Sequence, residues 1–408
     1  MPEPEPVAQT ITPKPSFLAS RIGGFPRTFW VLWTGSLLNR LGTMVEPFIG
    51  VYLTQARGHS LAVAGLVMAV YGAGALLSQL IAGWLTDRIG RRATLTGGML
   101  VAAAGMLALG YSTSLPWIVA AMFVVGLALD AYRPASQALV ADLIPAADRP
   151  RAYGLLFWAF NVGFSVAMSV GGLLAQSGII WLFWINAVSA VAFGALVWVA
   201  VPETKTASQK KGGGFRDVLR DRLMLAFVLL SLAYTMIYSQ AFSTLPLAMI
   251  GSGLTTVQYG VAMATNGILI VIVQPLINAW LARRDHSTVL AVGVAIVGVG
   301  FAFHALATSM TGFMVALLIW TTGEVITAGI GGAVVAGLAP PHLRGRYMGV
   351  YGFAWSGAAL LAPPLGTWLL SIGPVALWCT MGVLGLAAAA GHMAIAPAIR
   401  RRAVQPAL

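Results

Sequence analysis

Apolar stretches of about 20 residues or more, each long enough to cross roughly 30 Å of hydrocarbon, follow one another along the chain with short polar segments between them. Twelve are predicted, at 28–54, 61–86, 93–112, 116–140, 153–175, 178–201, 223–249, 257–281, 288–308, 312–337, 346–371 and 374–397. Each is expected as a helix, because a lone segment in lipid must satisfy its own backbone hydrogen bonds. Runs such as LLFWAF and AFVLLSLAY lack the period-two alternation of a membrane β-barrel, which excludes that fold.

The composition agrees. With 58% hydrophobic and 9% charged residues, the chain of 408 residues has too little polar side chain to cover a water-soluble surface. The fold class expected is all-α integral membrane. The polar intervals then give the domain plan: an N-terminal tail at 1–27, six spans over 28–201, a basic linker at 202–222, six spans over 223–397 and a C-terminal tail at 398–408.

A net charge of +12 raises the question of a nucleic-acid partner, and the distribution of the 24 Lys and Arg answers it. All but Arg40, Arg57 and Arg133 fall in the tails or in alternate loops, the pattern of cytoplasmic loops in a membrane protein. Both termini are therefore expected in the cytoplasm, in a multi-pass protein of the cell (inner) membrane whose basic loops can attract anionic lipid headgroups. No nucleic-acid partner is implied. The tail at 1–27 has no apolar core and is not read as a cleaved signal peptide. The single cysteine, Cys379, permits no intrachain disulfide.

The two sets of six spans repeat one another. VADLIPAADRPRAYG at 140–154 aligns with VAGLAPPHLRGRYMG at 335–349, matching Pro145, Arg149, Arg151 and Gly154 with Pro340, Arg344, Arg346 and Gly349. Halves built on one plan suit a carrier whose midplane site is exposed to each side in turn.

The most specific motif lies between the second and third spans. GWLTDRIGRR contains Gly83, Leu85, Asp87, Arg88, Gly90, Arg91 and Arg92. Gly90 permits a tight reversal, Asp87 can pair with an arginine or a helix N-terminus, and the arginines hold the loop at the cytoplasmic surface. These seven positions resemble the loop signature of the major facilitator superfamily of secondary transporters. The resemblance implies a pseudo-symmetric pair of six-helix bundles, a monomer, and a loop that latches the halves in the outward-open state. The corresponding loop of the second half, NAWLARRD, keeps only Arg283 and Arg284. GFSVAMSVGG at 163–172 has the spacing of the antiporter motif of that superfamily's fifth helix, with Ala167-Met168 in place of Gly-Pro; Pro363 stands at the corresponding place in the second half. Close helix packing is the alternative role for both.

Charged residues within spans are costly and usually face a cavity. Five are expected there: Arg40, Glu46, Asp130, Arg133 and Glu324. Glu324, near the middle of the tenth span, is deprived of water and suited to taking up and releasing a proton; its Gly-Glu-aliphatic setting resembles proton-driven multidrug exporters. Asp130 and Arg133 lie three apart on one helical face, as a proton-sensitive switch or a plain ion pair. Arg40 needs a counterion, with Asp130 or Glu324 as candidates. Asn39 lies beside it, and Glu46 is followed by Pro47, which is expected to kink the helix. Tyr234 and Tyr238 share a face. Together with Gln240, Asn266 and Gln274 they offer a weakly polar wall for amphipathic molecules, or alternatively hydrogen bonds between helices.

The chain has no Walker motif, no nucleophile setting and no metal-ligand spacing among its five histidines, so no cofactor, no metal and no enzymatic activity are expected. The reading is a proton-coupled antiporter exporting amphipathic drugs or metabolites, with protons, a small-molecule substrate and the lipid bilayer as its partners. The alternatives are an uptake symporter for a sugar, organic acid or peptide, and a non-transporting receptor or scaffold.

Overall fold

A computed structural model describes residues 23–130, 140, 143–145, 148–201, 215–281, 283–340 and 343–404. The described residues form helices joined by short turns. The long ones are α1 (Arg27–Gly42), α2 (Leu61–Ile89), α3 (Arg91–Tyr111), α4 (Leu115–Asp130), α5 (Arg149–Gly178), α6 (Ile180–Ala200), α7 (Arg222–Ser243), α8 (Thr256–Leu281), α9 (His286–Phe303), α10 (Met310–Thr327), α11 (Arg344–Ile372) and α12 (Pro374–Val404). Ten of them, α2, α3 and α5 to α12, are long and apolar enough to cross a membrane, α10 together with the segment that continues it; α1 and α4 are shorter.

The repeat seen in the sequence recurs in the helices. Arg149 and Arg344, aligned above, are each the first residue of a long helix, α5 and α11. Gly90 is the single residue between α2 and α3, and its φ of +97° explains why glycine stands there.

Three predicted spans are interrupted. α1 ends at Gly42, and the chain resumes only at Glu46–Phe48, with Pro47 in the first turn of that short segment. Pro47 fits in the first turn of the new segment, where its missing N–H leaves no helical bond unmade, and Val45 before it already has helical geometry. α7 stops at Ser243 and continues as Leu245–Gly251, again with a proline, Pro246, in the first turn. α10 stops at Thr327 and restarts at Ile330 after Gly329, whose φ is +77°. The predicted span at 312–337 is thus built of two helical pieces that together are long enough to cross a membrane. At the C-terminus α12 stays helical to Val404, through the basic residues Arg400, Arg401 and Arg402.

α2 packs against α4, α3 against α6, and α1 against α5 and α6; later in the chain α9 packs against α10 and α12, and α7 against α11. Two long contacts join the earlier helices to the later ones, α2 with α11 and α5 with α8. Glycines set the closeness of both. A Cβ on Gly72 would collide with the backbone of Ala359 and Leu360, and one on Gly172 would come within 2.7 Å of the Thr256 carbonyl. The Thr256 hydroxyl donates to the Gly172 carbonyl at 3.0 Å. Nearer the arginine-rich ends of α5 and α11, a Cβ on Gly154, Gly349 or Gly352 would meet nothing within 4 Å. The close approaches of the two pairs lie at Gly72 and Gly172, while Gly154, Gly349 and Gly352 have no near neighbour at their Cβ positions among the described residues.

At the arginine-rich end, α12 is fastened to the N-termini of α7 and α9. Asp221 caps α7 by accepting from the Met224 amide at 3.2 Å, accepts from the Tyr347 hydroxyl at 2.7 Å, and pairs with Arg402 at 2.6 Å. Asp285 caps α9 and pairs with Arg400 at 3.0 Å. Burial alone would raise the Asp221 carboxyl, but its hydrogen bonds to Tyr347, Met224 and Arg402 outweigh this and hold it below the ordinary 3.8. A lowered native value means that the stabilisation is complete above the ordinary carboxylate range and lost as pH falls through the lowered one. Asp221→Asn should thus cost roughly 1–3 kcal/mol at neutral pH. Thermal unfolding of purified protein across an acid titration should show the mutant and wild type converging only at low pH.

Candidate functional site

Glu324 occupies the last turn of α10, just before the interruption at Gly329. Its carboxylate lies deep among the helices, although part of its surface stays accessible. Asn266, buried on α8, donates from Nδ2 to Glu324 Oε2 at 2.7 Å and to the Thr321 hydroxyl at 3.0 Å. The Tyr238 hydroxyl also hydrogen-bonds to the carboxylate. Tyr234, one turn before Tyr238 on α7, shares a hydrogen bond of 3.0 Å with the Thr327 hydroxyl, which in turn donates to the Glu324 carbonyl at 3.0 Å. Three helices thus converge on one acidic side chain, and the partners identified are neutral.

An aromatic cluster surrounds it. Tyr238 stacks on Tyr234 at 6.4 Å between ring centroids and meets Phe242, Trp320 and Trp355 edge-on at 5.4, 6.4 and 5.8 Å. Phe242 reaches Phe164 of α5 at 5.9 Å. Arg40 of α1 lies at the far end of this run, its guanidinium 3.8 Å from the Phe160 centroid and 5.1 Å from that of Phe164. Such cation–π contacts partly replace water around a desolvated arginine. Of the two candidate counterions of Arg40, the side chain of Asp130 lies outside the described residues, and Glu324 is instead held by Asn266 and Tyr238. Rings at α5 and α7 stand between the two groups.

The remaining predicted residues separate into distinct places. Gln240 is fully buried, donating to the Ala362 carbonyl of α11 at 3.1 Å and accepting from the Thr244 hydroxyl at 2.8 Å, so it joins two helices rather than lining a wall. Asn39 is half-buried, and its carbonyl accepts from Thr43 at the end of α1. Gln274 is half-buried on α8, two turns beyond Asn266. In the loop signature, Leu85 is half-buried, Arg88 exposed and Gly90 buried, and the Arg92 guanidinium lies 4.5 Å from the Trp198 ring centroid. The surroundings of Gly83 and the side chains of Asp87, Arg91 and Asp130 lie outside the described residues, as does Arg133.

Within 163–172, Gly163 receives the stem of Arg40, with a built Cβ only 3.0 Å from Arg40 Cβ, while Ala167 and Met168 are fully buried. This stretch packs α5 against α1 and α8.

A cavity enclosing about 650 Å³ of empty space, part of it open to the exterior, lies beyond Phe242. The segments after α1 and the helices α2, α3, α4, α7 and α11 all contribute to its walls, and Glu46 is the charged residue among them. Sequence reasoning reached Glu46, Glu324, Asn266 and the two tyrosines. It passed over Thr321, Thr327, Phe160, Phe164, Phe242 and Trp355, because hydroxyls and aromatic rings are common in spans and nothing local singles these out.

The family model described as Major Facilitator Superfamily matches residues 32–363. Among curated relatives, an MFS-type transporter, YttB, of Bacillus subtilis is 28% identical, the match covering 84% of this chain and 88% of the relative. A Na(+), Li(+), K(+)/H(+) antiporter of Planococcus maritimus is 23% identical, with 80% and 86% covered. The multidrug resistance protein MdtH of Yersinia enterocolitica is 27% identical, with 84% and 88% covered. Among solved structures, a POT family transporter in complex with a thioalcohol-conjugated peptide superposes with a TM-score of 0.80 at 15% identity, over 93% of this chain and 97% of the other. That likeness bears on the fold alone.

Proposed function

This chain belongs to the Major Facilitator Superfamily, and we propose that it is a proton-coupled antiporter that exports amphipathic compounds by alternating access. The observation that carries this reading is the setting of Glu324: a carboxylate deep among helices, held by the neutral donors Asn266 and Tyr238, on a helix interrupted one turn later. A carboxylate held by neutral partners can gain and lose a proton without breaking an ion pair. When ionised it accepts from both donors; when protonated its C=O can go on accepting from Asn266 Nδ2 while its O–H donates, which reverses the polarity of its bond to the Tyr238 hydroxyl. Tyr238 carries that change into the aromatic cluster, because its ring touches Tyr234, Phe242, Trp320 and Trp355.

In this reading the chain has twelve spans in two six-helix halves, with both termini in the cytoplasm, and acts as a monomer. The arginine-rich end then faces inward, and the close contacts at Gly72 and Gly172 are read as the closed side of an inward-facing state. Arg40, with Asp130 and Arg133, forms a second group of charges that shifts between the states. The loop at 83–92 latches the opposite state. The names of two relatives, one a multidrug resistance protein and one a cation/proton antiporter, favour export coupled to protons.

The test is proteoliposomes under an imposed pH gradient, with a dye reporting proton movement as lipophilic cations, neutral drugs, sugars or organic acids are added. Proton flow opposite to a drug is the expected result. Flow in the same direction as a sugar or acid would replace antiport by symport, and transport without proton movement would overturn the coupling.

A further inference from the structure

Glu46 is set apart from the proton site. The break after Gly42 turns it into the cavity, and it is exposed while Val45, Pro47, Phe48 and Ile49 around it are buried. Among the described residues its carboxylate takes part in no ion pair. The walls it faces are mostly apolar and include three methionines from three helices, Met68, Met106 and Met122, besides Tyr71 and Phe242.

We infer that this cavity is a binding site for an organic monocation with a bulky apolar body, and that Glu46 rather than Glu324 holds the cation's charge. The inference rests on the reading of the chain as a carrier of amphipathic compounds and names the class. A small hydrated metal ion needs several oxygen ligands, which methionine and leucine walls do not supply. An anion is repelled by the carboxylate, and a neutral molecule gains nothing from it. A lipophilic cation satisfies both parts of the site: its charge meets the exposed carboxylate of Glu46, and its body covers the apolar walls and displaces water from around the pair. Methionine side chains are unbranched and adaptable, so the site accepts varied shapes. Phe242 both lines the cavity and meets Tyr238 edge-on. A body seated against Phe242 therefore presses on the cluster that holds Glu324, while its charge stays at a different carboxylate.

The test uses two ions of nearly the same shape and opposite charge, tetraphenylphosphonium and tetraphenylborate, with binding to purified full-length protein measured by titration calorimetry without any gradient. Wild type should prefer the phosphonium. Glu46→Gln should weaken the phosphonium roughly 10- to 100-fold and leave the borate unchanged or tighter; Glu46→Asp should keep the preference. Met122→Ala should weaken both ions together. Glu324→Gln should keep the preference for the phosphonium over the borate, whatever its effect on the affinity for both. Equal phosphonium affinity in Glu46→Gln and wild type would overturn the assignment, as would loss of the preference in Glu324→Gln instead. No proton gradient enters the measurement, so failure of proton coupling in vesicles leaves this result standing, and the reverse holds.

Discussion

Replacing Glu324 with glutamine should abolish accumulation driven by a pH gradient, a loss on the order of 100-fold or more, while exchange of labelled for unlabelled compound across the same vesicles continues. Glutamine keeps the size of the side chain and accepts from Asn266 through its carbonyl, so the cluster around Tyr238 should stay packed. It carries no exchangeable acid proton, so the reversal of donor and acceptor roles cannot occur. The split between the two assays is what separates a proton carrier from a merely structural carboxyl: a structural role would lower both together. Asn266→Ala should have an intermediate effect, since it removes one donor to the carboxylate and leaves Tyr238 in place.

The second large effect is expected at Gly72. A side chain there has no room, because the obstacle is the backbone of Ala359 and Leu360 rather than a rotatable group. Gly72→Val should force α2 and α11 apart from the middle of their contact toward the end remote from the arginines, at a local packing cost of about 1–3 kcal/mol. A protein that must close that end to move its cargo would fold and insert but not transport. In a Cys379→Ser background, a cysteine placed at Ser239, which lines the cavity, reports the change directly. Its labelling by a membrane-impermeant maleimide from the side remote from the arginines should rise in Gly72→Val. Unchanged labelling together with normal transport would mean that α2 and α11 need not approach there.

The location of the helices was legible because hydrophobic length is a property of composition summed over about 20 residues. Their interruptions were not. Gly329 stands among Gly331 and Gly332, and nothing in the letters says which glycine takes a positive φ. Pro47 announced a disturbance, but the helix ends several residues earlier, at Gly42, where α6 packs against it at Ser189.

The site was legible where it depended on rare residue types. A carboxylate, an asparagine and two tyrosines stand out in apolar helices, and the spacing of Tyr234 and Tyr238 correctly placed them on one face. For Gln240 the alternative of a bond between helices holds: two residues beyond Tyr238, it lies about 200° around the helix and meets α11. The pairing of Glu324 with Asn266 depends on how α8 crosses α10, a tertiary contact that no local pattern encodes.

The most direct measurement is infrared difference spectroscopy of the protonated carboxyl stretch in purified protein, wild type beside Glu324→Gln. Acidification should bring up a carboxyl band in wild type that is missing from the mutant, and adding a compound that drives proton flux in vesicles should remove that band at constant pH. A band equally present in Glu324→Gln, or one unmoved by such a compound, would contradict the assignment of the coupling proton to Glu324.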